Sequence, residues 1–342
     1  MNMTEEQRKE MIEEANKREL LWTEKRIVYN NEWPNQGIWC SDVQHLLEVW
    51  LQSQNLVQLF EPVRLTDDAR DILYSQPILN RLVSGVVDIY DELPYRPDQG
   101  FDIAWRSLEI FMNHQRNISW KKDNDKVPHL ITRTINDMLM PLIEKEVNVQ
   151  GMLDSFLEDI PESTLRYAIM RSYIEHDLAI NNQLDRVSER AERILTKALY
   201  DDIKKKYGLE EKVKPSAAVL RKSSQLLQLV LKGEEVDVNG HHYQLGFEAR
   251  MEYVLSCILY ANRCERFHGD YFSPFKSDRA TMDTYAFSYY LLAFCYIYFW
   301  TLVYRHCDTQ GIGEICKIGQ IIDAARTMQE RLKPIIEQGK KK

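Results

Sequence analysis

Two side chains in this sequence pair anion-binding and proton-transfer chemistry at short range. They are Arg263 and His268, in the stretch Tyr260-Ala261-Asn262-Arg263-Cys264-Glu265-Arg266-Phe267-His268-Gly269-Asp270. A guanidinium stays charged at any physiological pH and grips two oxygens of a phosphate at once. An imidazole titrates near neutrality, so it can take or give a proton. Spacing alone says little. With 8 histidines in the chain, about one or two Arg-x(4–6)-His matches are expected by accident. A second match does occur, Arg171-Ser172-Tyr173-Ile174-Glu175-His176. Residues five apart on a regular helix lie about 140° from one another, so that pair reads as two positions on a solvated helix.

What separates the first match from the second is the set of elements that must hold it. Phe247 to Tyr260 is an apolar helical run, Phe267 puts an apolar anchor between the pair, and Gly269 lets the chain leave the helix. Arg263 is therefore expected in the last regular turn, with His268 at or past the helix end. Before this helix, Glu235 to Leu245 alternates around Asn239-Gly240, a strong hairpin signal. His241 and His242 within it point to opposite faces and cannot chelate one ion together, so they are expected at the surface. After the motif, Thr284 to Tyr304 runs for 21 residues without a formal charge, long enough to cross a bilayer. Its tyrosines (285, 289, 290, 296, 298 and 304) are spread along its whole length instead of gathering at the ends. Hydroxyls so placed are best satisfied in a protein interior, and a buried helix is expected.

The rest of the chain reads as further helices. Residues 1 to about 20 form a charged helix with Thr4 as its cap, Asn30 to Gly37 form a loop, and Ser41 caps a helix with Val43, Leu46, Leu47, Trp50 and Leu51 on one side. Residues 1–65 thus make a small N-terminal helical subdomain for packing or interaction; a winged-helix-like module would need basic side chains that this stretch lacks. A helix beginning at Thr66-Asp67-Asp68 is interrupted at Pro77 and continues to Ile89. After a loop over 92–100, Phe101, Ala104, Trp105, Leu108, Phe111 and Met112 form one apolar stripe, with Asp102, Arg106, Glu109 and Asn113 elsewhere on the helix surface. Residues 117–185 read as a helical insertion. Val187 to Tyr207 is a further helix, closing with Lys204-Lys205-Lys206 and Gly208 at the position after its end. The lysines there suit the helix dipole; an RNA contact is the alternative. Ser216 to Lys232 and Ile315 to Ile336 are helical, and 306–342 is set apart as a C-terminal helix with a lysine tail.

At the motif the sequence resembles the HEPN superfamily, and is similar to a bacterial branch that reads Arg-Cys-Asn-x-Phe-His-Gly here. Phe101 to Glu109 also resembles that branch's early helix. The likeness spans about 66–305, with the insertion uncovered and the closest match at 233–278. It implies an all-α, HEPN-like helical bundle with a hairpin before the motif helix. It further implies that Arg263 and His268 are the active pair of an endoribonuclease that needs neither metal nor cofactor. Asn262 and Asp270 flank the pair as orienting groups, and Glu109 is a supporting residue on the early helix. One arginine and one histidine leave the site a proton-transfer group short, which the family solves by dimerising, so a homodimer with a composite site and an RNA substrate is expected. Bacterial defence or a toxin role is implied as a class. The N-terminal piece and the insertion are the places for a trigger or a regulatory protein partner. One residue departs from the branch pattern: Glu265 replaces its asparagine, and a carboxylate beside a phosphate-binding pair repels substrate unless it turns away. Two other readings stay open, an inactive module that binds RNA, a nucleotide or a protein, and a helix-end hydrogen-bonding device.

Composition narrows the classes. A net charge of -8 disfavours a generic, salt-driven nucleic-acid binder while leaving room for a local basic groove. The 6 cysteines are scattered without metal-ligand spacing, as in a reduced intracellular protein. The charged N-terminus is no secretory signal, so no membrane association and a cytoplasmic location are expected.

Overall fold

The computed structural model describes residues 4–32, 42–120, 125–174, 187–209, 215–267, 273, 275 and 280–340. Among the described residues the regular structure is helical apart from one two-stranded hairpin, in keeping with the all-α expectation. It divides into two compact units: Met1–Val57 with Ser273–Thr284, and Gln58–Phe272 with Tyr285–Lys342.

The first unit holds α1 (Glu5–Glu32) and α2 (Asp42–Ser53). The Thr4 hydroxyl accepts from the Gln7 amide at 3.3 Å while the Gln7 side chain accepts from the Thr4 amide at 3.0 Å, a reciprocal cap. The helix then runs through Asn30 and Asn31, well past the end expected near residue 20; residues 33–37 of the expected loop lie outside the described residues. α2 buries Val43, Leu47, Trp50 and Leu51, the expected stripe except for Leu46, which is exposed.

The second unit begins earlier than the expected boundary at 65, because Phe60 and Val63 belong to its core. The Val63 amide donates to the Tyr296 hydroxyl at 2.8 Å, and Arg331 donates to the Phe60 carbonyl at 3.1 Å. Next come α3 (Ala69–Ser75) and α4 (Pro77–Val87), separated where Pro77 takes a helix's first position. A 3-10 turn, Asp88–Glu92, leads to α5 (Pro97–Gln115), which starts at Pro97, ahead of the expected Phe101. All six residues of its apolar stripe are buried.

The described residues of 117–185 are not set apart from the core. α6 (Val127–Arg133), a π-helical stretch Thr134–Leu139, α7 (Met140–Lys145), α8 (Val147–Glu158), α9 (Glu162–Ile169) and a second π-helical stretch Met170–Ile174 contribute Leu130, Ile135, Leu139, Leu153, Phe156 and Leu165 to the same interior. The expected single helix over 187–207 is two, α10 (Val187–Leu195) and α11 (Lys197–Tyr207). They meet at Thr196, whose φ of 68° and ψ of 145° cannot continue a helix. Gly208, in the left-handed region with φ 59°, closes α11 as expected. α12 (Ala217–Lys232) is capped by the Ser216 hydroxyl.

The hairpin pairs β1 (Val236–Val238) with β2 (His241–Tyr243), antiparallel. Asn239 and Gly240, with φ 56° and 83°, form the tight turn that the dipeptide signals. His241 and His242 are exposed, one bonded to Asp202 at 2.7 Å and the other to Glu235 at 2.9 Å. α13 (Phe247–Tyr253), a π-helical stretch Val254–Leu259 and α14 (Tyr260–Phe267) form the motif helix without a break.

α15 (Met282–Gln310) is long and apolar enough to cross a membrane, but 94% of its most apolar window is buried inside the protein. Its phenols bond to segments from across the unit. Tyr289 donates to the Pro94 carbonyl at 2.8 Å, Tyr290 to the Phe156 carbonyl at 3.3 Å, and Tyr298 shares a bond with Thr134 at 2.7 Å. α16 (Ile318–Lys340), expected as a separate piece, packs into this unit too: Arg331 pairs with Glu61 at 3.0 Å and Gln329 accepts from Ser155 at 2.9 Å.

Candidate functional site

α5 and α14 meet through complementary charge. On α5, Asp98, Asp102 and Glu109 recur at i, i+4 and i+11 and so share one face. On α14, Arg263 and Arg266 stand three apart, which also puts them on one face. The acidic face meets the basic one. Asp102, expected on the helix surface, and Glu109, expected there as a supporting residue, are thereby drawn into helix–helix contact.

The two arginines are held differently. Arg266 donates from Nε and Nη2 to Asp102, at 2.8 and 2.6 Å, and from Nη2 to Asp98 at 3.2 Å, with 7% of its side chain exposed. Burial alone pulls its pKa down, but the hydrogen bonds and charges of Asp102 and Asp98 outweigh this and raise it. Its Nε and Nη2 are committed to holding α14 on α5. Among the described residues Arg263 pairs through Nη2 with Glu109 at 2.9 Å, lies over the Phe267 ring at 4.4 Å and hydrogen-bonds to Cys264. Its Nε is shielded from water and has no hydrogen-bond partner among the described residues. A buried donor without a partner costs about 1–3 kcal/mol, so Arg263 keeps at Nε a bonding capacity that Arg266 spends on Asp102. Glu109 is itself aligned by Trp105, whose indole donates to the same oxygen at 3.1 Å.

An aromatic layer lies behind this pair. Trp105 stacks on Tyr260 with centroids 5.8 Å apart, and Arg190 covers the Tyr260 ring at 5.2 Å while donating to the Ser256 carbonyl at 3.2 Å. Cys264 bonds to Tyr260 and stays a thiol. Burial raises its pKa, partly offset by Tyr260, Arg263 and Arg190. A neutral, half-buried thiol is a poor nucleophile, which leaves Arg263 as the reactive-type side chain of this face.

Glu265 has turned away, the condition that the departure from the branch pattern set. Two residues along a helix is about 200°, so it leaves α14 on the side opposite Arg263. There its carboxylate accepts from the Tyr167 hydroxyl at 2.6 Å and pairs with Arg171. Arg171, the arginine of the second sequence match, is thus neither solvated nor distant: it is spent on the first motif.

Of the expected site residues, Arg263 and Glu109 come together and Asn262 is buried in the helix beside them. His268 and Asp270 lie outside the described residues, as does His176. Trp105, Tyr260, Arg190, Arg171 and Tyr167 were not anticipated by sequence reasoning. The i, i+4, i+11 acidic spacing on α5 is a signal that could have flagged its partner helix; the Arg171–Glu265 pairing leaves no local trace. Among the described residues no group of three or more His, Cys, Asp and Glu side chains is placed to hold a metal ion. No protein-family model, curated protein or solved structure matches the chain.

Proposed function

We propose that the chain is an endoribonuclease of HEPN type, using Arg263 and His268, with the site completed by a second copy of the chain in a homodimer. The observation that carries this reading is the incomplete engagement of Arg263. Beside Arg266, which bonds two carboxylates on the same helix face, Arg263 is held by one carboxylate, one ring and Cys264, with its Nε unbonded among the described residues. It stands in the last described turn of the motif helix, five positions before His268. Such a guanidinium suits the crowded phosphate of a reaction in which the ribose 2′-oxygen attacks the adjacent phosphorus. The 5′-oxygen departs as that bond forms. The imidazole of His268 serves one of the two proton transfers, removing the 2′-hydroxyl proton or protonating the leaving oxygen. The products are a 2′,3′-cyclic phosphate and a 5′-hydroxyl end, and bacterial defence or toxicity is the role that this activity fits.

The test is cleavage of a single-stranded RNA oligonucleotide by purified protein with excess chelator. Cleavage is expected in the native chain. It should fall at least a hundredfold in Arg263→Ala and in His268→Ala, with the helical circular dichroism unchanged. Undiminished cleavage in either folded variant would sink the assignment. A second reading draws on the Glu109–Arg263 ion pair: an arginine already neutralised suits a module that binds RNA, a nucleotide or a protein without reacting. Under that reading the native chain binds RNA with the same Arg263 dependence and leaves it intact.

A further inference from the structure

The motif turn is gripped from two sides, and the second grip has no counterpart in the chemistry so far. Toward α5 it is held by Arg266 on Asp98 and Asp102, and by Arg263 on Glu109. On the far side Glu265 is held by Arg171 and by the Tyr167 hydroxyl, with only 11% of the Glu265 side chain and 19% of the Arg171 side chain exposed. That far anchor is itself braced. Arg171 lies over the Tyr167 ring at 5.8 Å, and Tyr167 meets the Phe287 ring edge-on at 5.5 Å. Next to Arg171, the Ser172 hydroxyl bonds to Tyr253 at 2.9 Å and the Ser172 carbonyl accepts from Tyr200 at 2.6 Å. Burial and then the neighbouring Glu265 carboxylate keep the Tyr167 phenol well above its usual range, so it remains a hydrogen-bond donor.

We propose that Glu265 is a positioning residue: through Arg171 and Tyr167 it fixes the rotation of α14 about its own axis, and with it the direction in which Arg263 is presented. Buried ion pairs contribute little net stability, because the loss of hydration offsets most of the attraction, but they strongly penalise any arrangement that strands one partner. Turning α14 by even a few tens of degrees would strand Glu265 on one side and Arg266 on the other. The pair therefore selects one setting of the helix more than it stabilises the fold. It also gives the 117–185 segment a part in the site, since Tyr167 and Arg171 both come from it.

The experiment uses the full chain with Glu265→Ala, Glu265→Gln, Arg171→Glu, Glu265→Arg and the reversed pair Arg171→Glu/Glu265→Arg. The first readout is amide hydrogen exchange over residues 260–267, which does not depend on the nuclease reading. Exchange there is expected to quicken at least tenfold in Glu265→Ala and Arg171→Glu, and to return most of the way in the reversed pair, while the thermal midpoint moves by only a few degrees. Should Glu265→Ala fail to fold, Glu265→Gln, which keeps the Tyr167 bond, is expected to show a smaller quickening. Unchanged exchange, or a reversed pair no better than its two single variants, overturns the proposal. The second readout rests on the proposed nuclease function: kcat on RNA falls about tenfold with KM within twofold, and recovers in the reversed pair. If the native chain cleaves no RNA, the nuclease reading fails while the exchange result still decides the positioning role.

Discussion

Arg263 and Arg266 show how two like residues on one helix face can be sorted by what they still have to give. Arg266 bonds two carboxylates, one of them shared with Arg96, whereas Arg263 shares its one carboxylate with an indole. Glu109 then governs how readily Arg263 can meet a phosphate, because any anion competes with it for the guanidinium. Replacing Glu109 with glutamine keeps an oxygen for Trp105 or Arg263 to bond but removes the competing charge. Glu109→Gln is expected to bind RNA about threefold more tightly or better, with a binding constant that falls more steeply with salt. It should cleave more slowly, since the guanidinium loses its orientation. Fluorescence anisotropy at two salt concentrations, beside a cleavage assay, checks both halves; weaker binding in Glu109→Gln would contradict this role.

Among the elements, those with local punctuation were legible from sequence and those fixed by distant partners were not. Asn239-Gly240, Gly208 and Ser216 each sit where their backbone or capping preference puts them. The apolar stripe of α5 was readable from its 3.6-residue period. By contrast, Thr134 and Phe156 meet their partners on α15, far along the chain, so the amphipathic pieces around them looked like an insertion. The Arg171–Glu265 pair joins positions 171 and 265, and nothing in either neighbourhood announces the other. The break at Thr196 was equally silent, having neither glycine nor proline. An exposed β-branched residue at φ 68° and ψ 145° occupies backbone space used almost only by glycine, at a cost of about 1–3 kcal/mol. Glycine there relieves that cost and gives back up to about 1 kcal/mol through the freer unfolded chain. Thr196→Gly is therefore expected to stabilise the protein by about 1 kcal/mol in urea unfolding. A destabilised variant would mean that the threonine holds α10 and α11 in some other way.

For the second unit as a whole, one buried histidine makes the interior sensitive to acid. His306 on α15 is buried against α5, bonded to Gln115 at 2.8 Å and edge-on to the His114 and Phe111 rings. Burial first, and then the neighbouring His114, lower its pKa to about 4 from an ordinary 6.5. A base whose folded pKa is depressed leaves stability unaffected above pH 6.5. Between 6.5 and 4 the unfolded chain takes up a proton that the folded protein refuses, so stability falls across that window and levels off below it. At about 1.4 kcal/mol per pH unit, the loss is at most about 3.5 kcal/mol. Unfolding free energy measured from pH 7 to 4 should decline more gently in His306→Asn, which retains an acceptor for Gln115, than in the native chain. Parallel curves would remove His306 as the cause.

The tyrosines of α15 have a consequence for the way the protein comes into being. Val63, Pro94, Thr134 and Phe156 all bond to this helix, and every one of them leaves the ribosome before it does. While the nascent chain is shorter than about the length that releases α15, those segments carry apolar faces with no common post to close on, and the motif helix has no finished bundle around it. A growing chain of this kind is a natural client for holding factors, and its site is assembled only after α15 has emerged.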